Sequence, residues 1–482
     1  MTTTSDIVAR LWSLCHVLRD DGITYHQYVT ELTYLLFLKM AAETDTEDRF
    51  PKGYRWDDLE SKDGVELLQF YRELLVHLGG KGGVLVQAIF ANAGTTLRQP
   101  RNLRKLVEDI DALDWYSART EGLGDLYEGL LEKNANEKKS GAGQYFTPRV
   151  LIDTMVDLVQ PMPGEIVQDP AAGTGGFLIA ADRHVRSFCD DYFGLSEAEA
   201  HFQRHQAYVG VELVQDTQRL LLMNAFLHDV TARLELGDSL SPLGTDLPRA
   251  DVILTNPPFG TKKGGGKPTR DDFTFPTSNK QLAFLQHIYR GLKPGGRAAV
   301  VLPDNVLFEE NTGAKIRADL MDKCDLHTIL RLPTGIFYAQ GVKTNVLFFS
   351  RGKKDRGTTK ATWVYDLRTN QPSFGKRTPF TREHLSEFET TFGDDPYGKA
   401  ERKDTGEEGR FRRFTRDEIA ARGDNLDISW LHDESAGNSD DLPEPEVIAQ
   451  QILVNLQTAM EEMEGLVEAL EGENGGHGGN RA

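Results

Sequence analysis

Cysteine is scarce in this chain of 482 residues: three occur, and none lies near another. Cys15, Cys189 and Cys324 lack metal-ligand spacing, so neither disulfides nor a metal site is expected, and a reducing cytoplasm suits them. Long apolar runs are missing too. None reaches bilayer-spanning length, and Met1–Asp6 lacks the basic start of a signal peptide, so no membrane partner is expected. No segment repeats internally. Positive charge is in deficit, with 55 Lys and Arg against 74 Asp and Glu, a net −19. Phosphate contacts need clustered Lys and Arg, so any binding of nucleic acid calls for a local basic face or a partner that supplies the affinity. What remains is ordinary for a globular protein: 39% hydrophobic and 27% charged residues. The length suggests roughly two or three domains.

Residues 1–139 read as a helical domain. Between Ile23 and Met40, apolar residues at Tyr28, Leu32, Leu35, Leu36 and Met40 keep the spacing of one buried helix face, and Leu67–Leu78 and Leu123–Leu131 repeat that period. The hydrophilic stretch Glu132–Gly141 reads as a linker. Over residues 140–432 the pattern changes to short apolar runs separated by helical stretches. The runs are Ile166–Gln168, Tyr208–Val211, Leu234–Leu236, Val252–Thr255, Ala298–Leu302, Thr328–Leu332 and Val346–Phe349. Such alternation predicts an α/β fold, a Rossmann-like, mostly parallel doubly wound sheet, whose ligands bind beyond the carboxyl ends of the strands. The pattern weakens after Phe349, and Pro396–Gly409 is polar. In the stretch 433–482, Pro443 and Pro445 introduce an amphipathic C-terminal helix. Its narrow seam is Ile448, Ile452, Leu456, Met460, Met463, Val467 and Leu470, which suits a partner helix. Gly472–Ala482 reads as a disordered tail.

Directly after the first run stands Asp169-Pro170-Ala171-Ala172-Gly173-Thr174-Gly175-Gly176-Phe177. Glycines let a backbone pass close to a ligand, and the N-terminus of the next helix offers free N–H groups. A tight strand-to-helix turn would look the same, but two later residues sharpen the reading. Glu212 ends the second run, where a carboxylate can accept both hydroxyls of a ribose. Asp238 follows the third and can accept from an adenine amino group. Three acceptors at successive strand ends describe a nucleoside pocket. A dinucleotide fingerprint would place glycine where Leu178 stands, and a P-loop is absent, since Lys267 is followed by Pro268. The acidic opening at Asp169 repels phosphate and favours the cationic, phosphate-free S-adenosylmethionine.

Asn256-Pro257-Pro258-Phe259 closes the fourth run. An amino group on a heteroaromatic ring is a poor nucleophile, because its lone pair is delocalised into the ring. Hydrogen bonds from that group to the Asn256 side-chain oxygen and the Pro257 carbonyl would draw it towards tetrahedral geometry. The two prolines hold the backbone rigid, and Phe259 offers a flat face to a flipped base. A simple Pro-Pro turn is the alternative, and it has no reason to follow the fourth strand of a nucleoside-binding sheet.

With these two motifs the chain resembles the amino-methyltransferases of DNA, and specifically the modification (M) subunits of type I restriction-modification systems. Gly143-Gln144-Tyr145-Phe146-Thr147-Pro148-Arg149 resembles the segment that closes over the cofactor in that family. Its position ahead of the other motifs is that of the gamma group of adenine-N6 enzymes. Leu36–Met40, Gly124–Glu128 and Asn425–Ser429 extend the likeness to nearly the whole chain. The resemblance implies methyl transfer from S-adenosylmethionine to N6 of adenine in DNA. It implies cofactor contacts from Gln144, Tyr145, Phe146, Thr147, Pro148, Arg149, Thr174, Gly175, Gly176 and Glu212. A separate specificity (S) subunit would choose the site, usually with two M subunits per S, and a separate translocating restriction (R) subunit would use ATP. A protein-glutamine or RNA amino-methyltransferase shares the Asn-Pro-Pro-aromatic motif and is the rival enzyme; a scaffold with a decayed site is the non-enzymatic one. The basic, Gly-rich Thr261–Arg270 is expected to contact phosphates beside the target base, although a solvated surface loop would read alike.

Overall fold

The computed structural model describes residues 4–14, 22, 25–44, 46–115, 127, 129–130, 147–259, 268–337, 342–372, 374–375, 378–432, 452 and 456. Within those bounds the first hundred residues are helical, as their periodicity predicts, but one helix is more enclosed than a single apolar face implies. In the helix Tyr25–Glu43, every residue from Glu31 to Ala41 is buried. Helices Trp56–Glu60, Pro100–Asp111 and Gln215–Leu227 pack around it and leave no solvent side. Its buried carboxylate, Glu31, accepts hydrogen bonds from the Thr95 hydroxyl (2.8 Å), the Thr96 N–H (2.5 Å) and the Tyr71 hydroxyl (3.2 Å), which offsets the cost of burying it. The helix Gly64–Lys81 conforms to one-face burial, covering Leu67, Leu68, Tyr71, Leu74, Leu75 and Leu78.

All seven apolar runs are strands: β1 (Val167–Asp169), β2 (Tyr208–Glu212), β3 (Arg233–Leu236), β4 (Ala250–Thr255), β5 (Leu292–Pro303), β6 (Cys324–Arg331) and β7 (Thr344–Arg351). Two more, β8 (Ala361–Asp366) and β9 (Phe411–Thr415), extend the sheet where the sequence pattern had weakened. The order is β3-β2-β1-β4-β5-β7-β6-β8-β9. Strands β1 to β5 run parallel to their neighbours, while β7 is antiparallel to both β5 and β6. Alternate residues bury into opposite faces. Val252 and Leu254 of β4 join one core and Ile253 the other, while a register shift between Ala250 and Val252 puts Ala250 on the side of Ile253. Burial on both faces is why the inner strands read as apolar runs, whereas the edge strand β3 is exposed or half-buried throughout.

β1 lies between β2 and β4 and is parallel to each, so the strand order reverses at β1 and β4. That reversal opens the crevice in which doubly wound sheets bind ligands. The helix Arg149–Val159 packs against the helix Gly176–Phe188, and its far end is fastened to the sheet by Arg297 of β5. The Arg297 Nε donates to the Val159 carbonyl (2.6 Å), and the guanidinium fork takes both oxygens of Glu165 (2.7 and 2.9 Å). Arg297 is 2% exposed. Its removal strands a carboxylate and a helix-end carbonyl together. Arg297→Ala is therefore expected to lower stability by about 3 kcal/mol in urea unfolding, and a loss below about 1 kcal/mol would show that the pair fastens nothing.

Candidate active site

The glycine-rich turn after β1 is shaped from beneath. Asp169 ends β1 at 1% exposure, and its Oδ1 accepts the Ala171 N–H at 3.1 Å. It therefore folds the turn rather than presenting an open acidic face to it. Gly173 has a φ of +56°, and a Cβ built there would meet nothing within 4 Å among the described residues, so within them this side of the turn is open. Gly175 has a φ of +90°, and a Cβ there would come within 2.6 Å of Leu221 Cδ1, so only glycine fits. Thr174 gives its carbonyl to Asn224 Nδ2 at 3.0 Å, and Gly176 starts the next helix.

Glu212, at the end of β2, grips this turn from the side. One carboxylate oxygen accepts the Gly173 N–H at 3.0 Å and the other the Val214 N–H at 2.8 Å. Each oxygen keeps a further acceptor site, which a ribose diol can use. Burial pushes the Glu212 carboxyl above its ordinary range, against the pull of those N–H groups. Next to it, Leu213 is 50% exposed, an apolar surface that the sequence reading passed over and that suits the face of a heterocyclic base. Asp238 is exposed just beyond β3, with its Oδ1 on the Leu240 N–H at 2.9 Å. Its neighbour Ser239 is buried and donates to the Pro170 carbonyl at 2.6 Å, which ties the β3 end to the β1 turn.

Asn256 follows β4 across the reversal point. Its Nδ2 donates to the hydroxyl of Thr147 at 2.9 Å, while its Oδ1 is buried and has no hydrogen-bond partner among the described residues. Thr147 is buried and Pro148 precedes the helix Arg149–Val159, so the end of the segment expected to close over the cofactor meets Asn256 directly. Arg149 opens that helix. Gln144, Tyr145 and Phe146 lie outside the described residues. Pro257 is buried and Pro258 exposed. Phe259 is 8% exposed and meets Phe337 edge-on at 6.1 Å, so its ring is packed, not laid open as a platform.

The structure corrects one expectation about the basic segment Thr261–Arg270. Arg270 faces inward and not toward phosphate. It takes both oxygens of Asp272 (2.8 and 2.7 Å), and its Nη1 reaches the Ser239 carbonyl at 3.1 Å and His287 Nδ1 at 2.6 Å. The Arg270 side chain is 4% exposed, and these charge-assisted bonds offset the cost of taking it out of water. Lys262, Lys263 and Lys267 lie outside the described residues.

The sheet order, with one motif at the end of β1 and the other at the end of β4, is that of a Rossmann-like methyltransferase. Comparison with known proteins narrows it. Residues 118–440 match the N-6 DNA Methylase family model, and residues 7–110 match the HsdM N-terminal domain. The chain is 53% identical to the type I restriction enzyme StySPI methylase subunit of Salmonella potsdam and 52% identical to the EcoKI methylase subunit of Escherichia coli K12. Both alignments cover 97% of this chain and 95% of the relative. Among solved structures, it is similar to the EcoKI M protein, with a TM-score of 0.58 and 47% identity over 96% of each chain. It is also similar to a modification subunit of a type I restriction enzyme from Vibrio vulnificus, with a TM-score of 0.71 and 27% identity over 89% of this chain and 97% of that one. The chain belongs to the N-6 DNA methylase family, among the methylase subunits of type I restriction enzymes.

The Asp169 carboxyl carries a pH signature. Burial, with the Glu212 charge adding, pushes it up to about 7 from an ordinary value of 3.8, against the Ala171 N–H. The folded chain thus keeps this proton to about pH 7, whereas the unfolded chain releases it near 3.8. Between those values the folded state binds more protons, so stability declines as pH rises. Asp169→Asn keeps the hydrogen bond to Ala171 and removes the charge. Its urea midpoint is expected to fall less than that of the wild type between about pH 5 and about pH 8. Parallel curves would disprove the raised value.

Proposed function

We propose that this chain transfers a methyl group from S-adenosylmethionine to N6 of adenine in DNA, as the modification subunit of a type I complex whose specificity subunit chooses the site. One observation carries the reading: the buried Asn256 Oδ1, without a partner among the described residues while Thr147 holds the amide nitrogen. A buried acceptor without a donor costs free energy, and an amino group entering the crevice supplies the missing donor. With the Pro257 carbonyl as second acceptor, both N–H bonds of the target are engaged and its lone pair is localised on nitrogen. Because the amide is already held, no reorganisation is needed as charge develops.

The residues on the cofactor side fit S-adenosylmethionine. Gly173 leaves an open face, Glu212 retains acceptor capacity for two ribose hydroxyls, and Leu213 offers an apolar surface to adenine. Asp238 stands at the next strand end as acceptor for the adenine amino group, and Thr147, Pro148, Arg149, Thr174, Gly175 and Gly176 line the turn and the segment facing it. When bound, the cofactor supplies an electrophilic methyl group on a sulfonium. Asn256→Ala is expected to leave S-adenosylmethionine affinity within about twofold while abolishing methylation, because the lost contact acts only on the transition state. Glu212→Ala is expected to weaken cofactor affinity by about tenfold or more, since it removes a charged acceptor. Calorimetry and transfer of tritiated methyl to DNA would separate the two. Near-wild-type turnover in Asn256→Ala would overturn the assignment.

Two M subunits per S subunit, with an R subunit supplying ATP-driven translocation, is the assembly we infer. The net charge of −19 supports it, since a partner must then provide DNA affinity. The amphipathic segment Ile448–Leu470 is the proposed contact with S. Of its seam, Ile452 and Leu456 are described, at 54% and 56% exposure. Truncation after Asp441 is expected to leave cofactor binding intact and M–S assembly impaired. A truncated chain that still forms the complex at the normal ratio, by chromatography with light scattering, would exclude this role.

A further inference from the structure

The helix Gln215–Leu227 has two working faces, and each grips a different part of the protein. Arg219, Leu222, Met223 and Phe226, spaced as one helical stripe, face the N-terminal helices. Arg219 is 4% exposed. Its Nε donates to the Ile89 carbonyl at 2.7 Å and its Nη2 to the Ala91 carbonyl at 2.9 Å, with the guanidinium 5.2 Å from the centre of the Tyr34 ring. Leu222 and Met223 belong to the hydrophobic core of the N-terminal domain, and Phe226 meets Phe37 edge-on at 4.9 Å. The second stripe, Leu221 and Asn224, faces the glycine-rich turn. Leu221 Cδ1 fills the space beside Gly175, and Asn224 Nδ2 holds the Thr174 carbonyl at 3.0 Å. At the head of the helix, the Val214 N–H holds Glu212. One rigid rod therefore joins the seat of the N-terminal domain to three fixed points of the nucleoside pocket.

We propose that the N-terminal helical domain holds the glycine-rich turn in its ligand-binding shape through this helix, with Arg219 and Asn224 as positioning residues for S-adenosylmethionine. The inference rests on the cofactor reading above. Neither residue touches the reacting atoms. Arg219 fixes the rod against two backbone carbonyls of the other domain, and Asn224 passes that position to the Thr174 peptide. A lysine at 219 keeps the charge but lacks the planar fork that spans both carbonyls. Anything that shifts the N-terminal domain thereby changes cofactor affinity, and by reciprocity bound cofactor steadies the seating of that domain.

The test uses the full-length chain, with calorimetric titration of S-adenosylmethionine. Arg219→Lys and Asn224→Ala are each expected to raise the Kd about tenfold. In the assembled complex, KM for the cofactor should rise in step while kcat at saturation stays within about twofold. Because the two act in series, the double variant should bind no worse than the weaker single variant, short of the additive sum. Arg104→Ala provides the comparison for mere loosening. Arg104 bonds the Glu60 and Lys62 carbonyls and Glu108 inside the N-terminal domain, so its loss should lower Tm and leave the Kd unchanged. Folded Arg219→Lys and Asn224→Ala variants with wild-type Kd would overturn the proposal. So would fully additive effects, or an equal rise in Kd for Arg104→Ala. A wild-type chain that itself fails to bind S-adenosylmethionine would overturn the cofactor reading, and this inference with it.

Discussion

A carboxamide has one donor end and one acceptor end, and the chemistry proposed for this chain depends on which end of Asn256 is left free. The Thr147 hydroxyl takes the Asn256 nitrogen and so leaves the oxygen unpaired in the crevice. Everything around that bond serves to hold its two partners in place. Thr147 is set by the helix Arg149–Val159, whose other end Arg297 fastens to β5. Asn256 is set by β4, which the core encloses on both faces. Neither partner can drift without breaking buried hydrogen bonds.

Polar support continues across the far half of the sheet at the same edge. Asp304, just past β5, receives a two-pronged bond from Arg368 (2.7 and 2.9 Å) and another from Asn345 Nδ2 (2.7 Å). Burial alone would raise the Asp304 carboxyl, but the Arg368 guanidinium outweighs it and holds the group below its ordinary range. Arg331, at the end of β6, joins Asp366 of β8 at 3.1 Å and Asp427 at 3.2 Å. Strand β8 and the segment at Asp427 thus brace the carboxyl edge from outside. Such buried networks are costly unless nearly every member is satisfied, and when satisfied they fix one arrangement of strand ends.

This division explains what could be read from the sequence. The inner strands, β1, β2 and β4 to β7, announce themselves because burial on both faces favours apolar runs, and the two motifs stand directly at the ends of β1 and β4; the edge strand β3 is half-buried or exposed throughout and shows only through Leu234 and Leu236. Strand β9, Phe-Arg-Arg-Phe-Thr, is an edge strand with one fully buried residue, so no apolar run marks it. The N-terminal half of β5, Leu-Lys-Pro-Gly-Gly-Arg, is polar for the same kind of reason, since Lys293 and Arg297 there pair with Asp251 and Glu165. Helical periodicity in Tyr25–Glu43 reports one stripe and cannot report that a second domain covers the rest. Arg270 reads as part of a basic run because charge along the sequence carries no sign of direction. Ser239, Leu221 and Asn224 carry no motif at all. They act on the turn through folding alone, and only the packed helix and strand bring them to it.

The charge of the chain acquires a sharper meaning from its buried arginines. Arg317 is 1% exposed and bonds two backbone carbonyls, those of Asp424 and Val306, and burial lowers its pKa to about 10. Arg219 and Arg297 likewise reach carbonyls across long stretches of chain. A guanidinium suits that task, because it is weakly hydrated and its fork meets several acceptors at once. Cations committed to the interior are not available to phosphate. An already acidic chain therefore holds still less positive charge for DNA than its composition suggests. Positive charge from another subunit, or from Lys262, Lys263 and Lys267 after Asn256–Phe259, would offset that deficit toward a polyanion. The proposed division of labour, in which a specificity subunit chooses the site, fits a methylase chain whose interior takes up part of its few cations.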